Sequence, residues 1–281
     1  MRIYIMTDLE GVCGVMNFAD WCRPESRYYE KAKELLTLEA NAAVEGFLEA
    51  GATEITVADG HGPGAVDGTL LHKEACLLRG WPDRYPLLLD GEKHDAVAWV
   101  GQHPKSGAVG GHLSHTQGFA VRDISVNGVS VGEFGQFAMC ATELGARAIF
   151  ASGDEAFAAE AWELVPGIET VAVKRGSATT PGHHLPAKGY AGHNVAAVHL
   201  SPEVARARIR QGAQRALGRA KEEDFGLVDI RPPYERVIVM RSTETEGPSV
   251  CRVQHETSVA ALFNLPHRPV PVEGADPMRM A

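Results

Sequence analysis

The chain has 281 residues, which at roughly 150 residues per domain suggests two domains. Its 44% hydrophobic and 22% charged positions are those of a folded protein and argue against disorder. Twenty-seven Lys and Arg against 36 Asp and Glu leave a net charge of −9, which speaks against nucleic acid or an anionic membrane as the main partner.

In chain order, Arg2–Thr7 reads as a strand, and 25–50 as a long helix stopped by Gly51. Glu54–Asp59 is a second strand. Strand, helix and strand within about 60 residues form a βαβ unit and imply a parallel sheet. A third strand is expected over 96–100. Asn127-Gly128 between valines predicts a tight hairpin. A helix is expected over 133–144, a strand over 148–152, a helix over 154–164 and a strand over 169–174. Residues 176–186 read as a loop. Ser201 caps a helix that opens with Pro202 and runs to about Lys221. Residues 236–241 read as a late strand, and the proline-rich tail from Pro266 is expected to hold no regular element. The fold class expected is α/β, a mostly parallel sheet with flanking helices (residues 1–178), followed by a smaller C-terminal α/β subdomain (179–281).

No run reaches the roughly 18 apolar residues that span a bilayer, and the opening strand is too short for a secretory leader. Five scattered cysteines without a CxxC suit a reducing cytoplasm better than a disulfide framework. Any metal would therefore be held by His and carboxylate, and the twelve histidines stand out.

Asp8 and Glu10 directly follow the first strand. In extended backbone, side chains two apart face one side, so both carboxylates can meet at one point. Such a pair needs a cation or a shared proton. Alone, it also reads as a polar turn. His61 follows the second strand and His103 the third, and each alone is an ordinary loop histidine. Together, three successive strands end in candidate metal ligands, at the carboxyl edge where open α/β sheets bind ligands. Glu133 could complete the set, or could merely complement a helix dipole. His115, in the small-residue turn Gly110–His115, could act as a general base or polarise a carbonyl. Ser114 lacks the G-x-S-x-G setting of a nucleophile, and no nucleotide-binding glycine motif occurs. His183 and His184 read as surface or substrate-loop residues. His72, His94, His193, His199, His255 and His267 suggest no partner.

Asp8-Leu9-Glu10-Gly11, Asp59-Gly60-His61, Gly101-Gln102-His103, Ser114-His115 and Gly132-Glu133-Phe134-Gly135 occur in the order and spacing of the DppA-type D-aminopeptidases, which this sequence resembles over about residues 1–175. Thr37–Asn41 and Ala151–Asp154 add to the likeness. The resemblance implies a binuclear zinc centre, two ions per chain. Asp8 would bridge them, Glu10, His61, His103 and Glu133 would supply the other ligands, and His115 would be catalytic. It also implies a short peptide substrate with a free amino terminus, often D-configured, and a ring-shaped homo-oligomer, a homodecamer. Two departures are visible: Gly60 stands where the family usually has Ser, and the expected terminal helix is hard to find in 270–281. Other readings are a different metal-dependent amidohydrolase, a phosphoesterase, or a non-catalytic metal- or peptide-binding protein. For a phosphoesterase, Arg122 and Lys105 are the basic residues near the motifs.

Overall fold

The computed structural model describes residues 1–80 and 84–272. Its first unit is β1 (Arg2–Thr7), the short α1 (Phe18–Trp21), α2 (Tyr29–Glu49) and β2 (Glu54–Asp59). The long helix begins at Tyr29 rather than 25. Pro24 precedes its start, and Asn17 caps the separate helix α1 by accepting the Asp20 N–H. There follow β3 (Cys76–Leu78), β4 (Ala96–Gln102), β5 (Val121–Val126) and β6 (Val129–Ser130). Asn127 and Gly128 turn the β5–β6 hairpin, both with positive φ, as its two-residue loop requires. Next come α3 (Glu133–Glu143), β7 (Arg147–Asp154), α4 (Glu155–Leu164), β8 (Glu169–Gly176), α5 (Ala187–Ala191) and β9 (Ala197–His199). α6 (Pro202–Ala220) is capped by Ser201, and β10 (Tyr234–Met240), β11 (Ser249–His255), α7 (Val259–Asn264) and β12 (Val270–Pro271) close the described chain.

Seven strands form one sheet in the order β3-β2-β1-β4-β7-β8-β9, parallel except for β9. Alternate residues of its strands face opposite cores. Ile3, Ile5, Ala96 and Ala98 join Leu36 and Phe47 of α2 and Ile209 and Leu217 of α6 on one side. Tyr4, Met6, Val97 and Trp99 join Phe134 and Phe137 of α3 on the other, where Ile124 and Ile238 of the second sheet also pack. That second sheet is antiparallel, in the order β12-β11-β10-β5-β6. The boundary expected at residue 178 falls between β8 and β9, neighbours in the first sheet. The later segment supplies α6 to one face of that sheet and β10–β12 to the second sheet, so both parts of the chain share both sheets.

Several elements were not expected from the sequence: the short α1, α5, β9 and α7, and β3, β11 and β12. β3 is a three-residue edge strand, and β11 carries Arg252 and Gln254 among its apolar positions, so neither shows a long apolar signal. β12 lies in the tail read as irregular, as a two-residue pairing with β11. The rest of the tail, from 273 on, lies outside the described residues, with the expectation about a terminal helix. Among the described residues no helix is long and apolar enough to cross a membrane.

The register sets the site. Thr7, the last residue of β1, lies beside Asp59 of β2 and Val100 of β4. The segments carrying Asp8, His61 and His103 therefore leave the sheet at one edge. Strand order reverses around β1, which opens a crevice there.

Candidate metal centre

The loop after β1 is pressed onto the end of β4. Asp8 N–H donates to Val100 O at 3.0 Å and Gly11 N–H to Gly101 O at 2.8 Å. A Cβ on Gly11 would lie 2.1 Å from Gln102 O, and Gly101, at φ +76°, would meet Asp8 O at 2.2 Å. Only glycine permits this approach. Beneath it, the buried Lys174 ammonium donates to the carbonyls of Glu10, Val12 (3.1 Å) and Val15 (3.3 Å). Burial lowers Lys174 to about 8, with nearby carboxylates opposing the shift. The sequence offered no hint of this role, because Lys174 sits in an apolar strand far along the chain.

His61 is held by its own loop. The Asp59 carboxylate accepts the N–H of Ala65 and Val66, and Arg79 donates to the carbonyls of Asp59 (2.8 Å), His61 (2.9 Å) and Gly62 (2.6 Å). His103 Nδ1 lies 3.0 Å from Pro104 O, to which it can only donate, so Nε2 turns towards the carboxylates. Glu133 opens α3. Its Oε1 accepts the Gln117 N–H at 2.6 Å. The buried Glu160 carboxylate joins the last two segments, accepting Lys105 N–H at 2.8 Å and Gly132 N–H at 3.1 Å.

All six candidate residues line one cleft of about 600 Å³. Asp8 Oδ1 lies 3.3 Å from His61 Nδ1 and Asp8 Oδ2 lies 3.2 Å from His103 Nε2, so its two oxygens address two imidazoles. Glu10 Oε2 is 3.2 Å from His61 Nδ1, and Glu133 Oε1 is 3.6 Å from His103 Nε2. Donor atoms of Asp8, Glu10 and His103 lie within 4.8 Å of one another, as do those of His103, His115 and Glu133. His103 belongs to both groups. Burial works against charge here, yet the Asp8 carboxyl is held well below its usual range by hydrogen bonds from His103 and His61. Burial also opposes charge on the imidazoles, but Glu10 and Asp8 push His61 up to about 12, and Glu133 and Asp8 push His103 up to about 10. Three carboxylates in this space call for cations. Glu10 Oε2 is buried and forms no hydrogen bond of proper geometry, only the ion contact with His61. The nitrogen and oxygen donor set fits zinc.

His115 lines the same cleft. Its ring stacks on His103 with centroids 3.9 Å apart and planes 13° apart. Phe18 and Phe119 pack against it. Burial, then the nearby His103 charge, lowers its pKa. Nδ1 lies 2.8 Å from Leu113 O, which can only accept, so in the neutral ring Nε2 carries the lone pair.

Ser114 is bound to Asn194 rather than to His115. His94, His193 and His199, which suggested no partner in sequence, bond to Glu92 O, Thr180 O and Gly14 N–H. His183 packs over Gly107, behind the His115 loop. Two basic residues that the sequence did not single out, Arg23 and Arg79, line the cleft, while Lys105 Nζ instead bonds to Ser130 O.

The D-aminopeptidase family profile matches residues 1–250. This chain belongs to the D-aminopeptidase family. A D-aminopeptidase of Bacillus subtilis (strain 168) is 32% identical over 180 residues, 62% of this chain and 64% of that relative, so the alignment spans less than two thirds of the relative's length. The fold is that of the zinc-dependent D-aminopeptidase DppA from Bacillus subtilis, a self-compartmentalizing protease. The TM-score is 0.77, with 24% identity, 93% of this chain and 94% of that chain covered.

Proposed function

We propose that this family member is a binuclear zinc aminopeptidase that removes the N-terminal residue of short peptides, D-configured ones in particular. The observation that carries the reading is the Asp8 carboxylate, whose two oxygens face His61 and His103 separately. That is the arrangement a bridging ligand between two ions needs. Asp8, Glu10, His61, His103 and Glu133 would hold the ions. When bound, they supply a Lewis acid for the peptide carbonyl and lower the pKa of water from about 15.7 to about 7.

His115 carries the proton chemistry. With Nδ1 tied to Leu113 O, Nε2 is an acceptor at neutral pH, and its lowered pKa keeps it so. That favours a general base over an oxyanion donor. Nε2 would take a proton from the attacking water and return one to the leaving amine. The aromatic packing of Phe18 and Phe119 limits the ring's reorientation. By the same reading the chain works in a ring-shaped homo-oligomer, a homodecamer by family likeness.

A panel of D- and L-dipeptides, assayed with zinc and with a chelator, tests the proposal. Expected are about two zinc per chain, hydrolysis of D-Ala-D-Ala, and its loss on chelation with recovery on zinc addition. Hydrolysis unaffected by chelation, or none at all from the zinc-loaded protein, would reject it.

A further inference from the structure

We propose that Arg23 binds the free carboxylate of the substrate, so that the cleft selects di- and tripeptides ending in a carboxylate. This rests on the peptidase reading above. Two guanidinium groups line the cleft. Arg79 is committed to three backbone carbonyls of the His61 loop. Arg23 is exposed, and among the described residues its guanidinium has no carboxylate or carbonyl partner. The backbone that carries it is held in place. The Arg23 backbone N–H donates to Ser26 Oγ at 3.2 Å, Ser26 Oγ donates to Ala19 O at 2.6 Å, and the preceding carbonyl of Cys22 accepts His61 Nε2 at 2.9 Å.

The guanidinium carbon stands 5.0 Å from the centre of the Phe18 ring, whose centre is 6.3 Å from that of His115. The two spans set an upper limit of about 11 Å between the cation and the catalytic imidazole, close to the reach of three extended residues at ~3.5 Å each. Asp8, Glu10 and Glu133 line the same cleft. A short peptide carries an ammonium at one end and a carboxylate at the other. With those carboxylates committed to the proposed zinc ions, and Arg79 to backbone carbonyls, Arg23 is the cleft side chain left to pair with the carboxylate. A guanidinium suits it, since its fork matches a carboxylate with two parallel hydrogen bonds.

The test compares D-Ala-D-Ala with its C-terminal amide in the zinc-loaded protein and in Arg23→Gln. Wild type should show a KM lower by about tenfold for the free acid, the order of one charge-assisted hydrogen bond in a half-open cleft. Arg23→Gln should lose that preference through KM alone, with kcat and the amide's kinetics unchanged, and Arg23→Lys should recover part of it. Equilibrium binding of both ligands to the slow His115→Ala protein should show the same preference without turnover. Equal KM values for acid and amide in wild type, or an equal loss on both in Arg23→Gln, would overturn the assignment. Hydrolysis of neither compound would instead reject the peptidase reading, and Arg23's role with it.

Discussion

Two neighbouring histidines of the cleft are treated in opposite ways. His103 and His115 stack ring on ring, and burial disfavours the charged form of both. On the His103 side, Glu133 and Asp8 overcome burial and push the imidazole up to about 10. For His115, burial and then the nearby His103 charge lower the pKa, and the weaker pull of Glu133, Glu10 and the Leu113 carbonyl does not offset them. The difference lies in which groups reach the ring rather than in burial itself. Surroundings that stabilise positive charge suit cations, and surroundings that keep an imidazole neutral suit a base. Environment thus separates two roles for chemically equal side chains.

The largest effect on this division comes from His115→Ala. Loss of a general base costs about 10²–10⁴-fold in rate. Zinc content, measured on the purified protein, should stay at the parental value, because His115 is not among the proposed ligands. Donor atoms of His103, His115 and Glu133 nonetheless lie close enough to share an ion. A variant that loses one zinc together with activity would move His115 into the metal set and erase the contrast between the two histidines.

Much of this was legible in the sequence, for a physical reason. β1, β2 and β4 are short apolar runs ending in polar residues, and a parallel sheet brings their carboxyl ends to one edge. Asp8, Glu10, His61 and His103 could therefore be placed together from strand ends alone, without knowledge of their contacts. Glu133 and His115 were less secure, since helix starts and glycine-rich turns commonly carry such residues. The residues that hold the site were not legible. Lys174, Arg79, Glu160 and Asn194 act through backbone carbonyls and amides of distant loops, and such bonds leave no spacing pattern. The second sheet was opaque for a similar reason, as β5 pairs with β10, more than a hundred residues later.

Glu160 sharpens the comparison from the metal side. Its carboxylate fixes Lys105 and Gly132, neighbours of the proposed ligands His103 and Glu133. It also borders a second cavity, of about 870 Å³, on the far side of that link. Gln can accept only one of the two N–H bonds well, since its amide NH₂ would face the other donor. Glu160→Gln should lower zinc affinity about 10–100-fold, the usual cost of losing a group that orients a ligand. Competition with a chromogenic chelator reads this directly. Activity at saturating zinc should change far less. Unchanged zinc affinity in a folded variant would show that the two segments hold their geometry without the bridge.

The smallest effect isolates burial from ion pairing. Glu39, on α2, is buried, with Oε1 accepting the Cys13 N–H at 2.9 Å and Oε2 without a hydrogen bond. Burial raises its carboxyl from 4.5 to about 8, and the pull of Lys174 and Arg206 does not offset this. The folded state then binds a proton that the unfolded state releases above 4.5. The stability tied to this group is complete below that pH and is lost as pH rises towards 8. Lys174, lowered to about 8, acts in a separate range: ionised below its folded value at a cost, it favours the folded state increasingly as pH climbs from 8 towards 10.5. Glu39→Gln keeps an acceptor for Cys13 and removes the titration. Denaturant melts should show wild type losing stability relative to the variant as pH rises from 4.5 to 8. The gap should stop widening above pH 8, and activity should be unchanged. A constant difference across that range would mean that Glu39 is ionised throughout, with Lys174 doing for it what His61 and His103 do for Asp8.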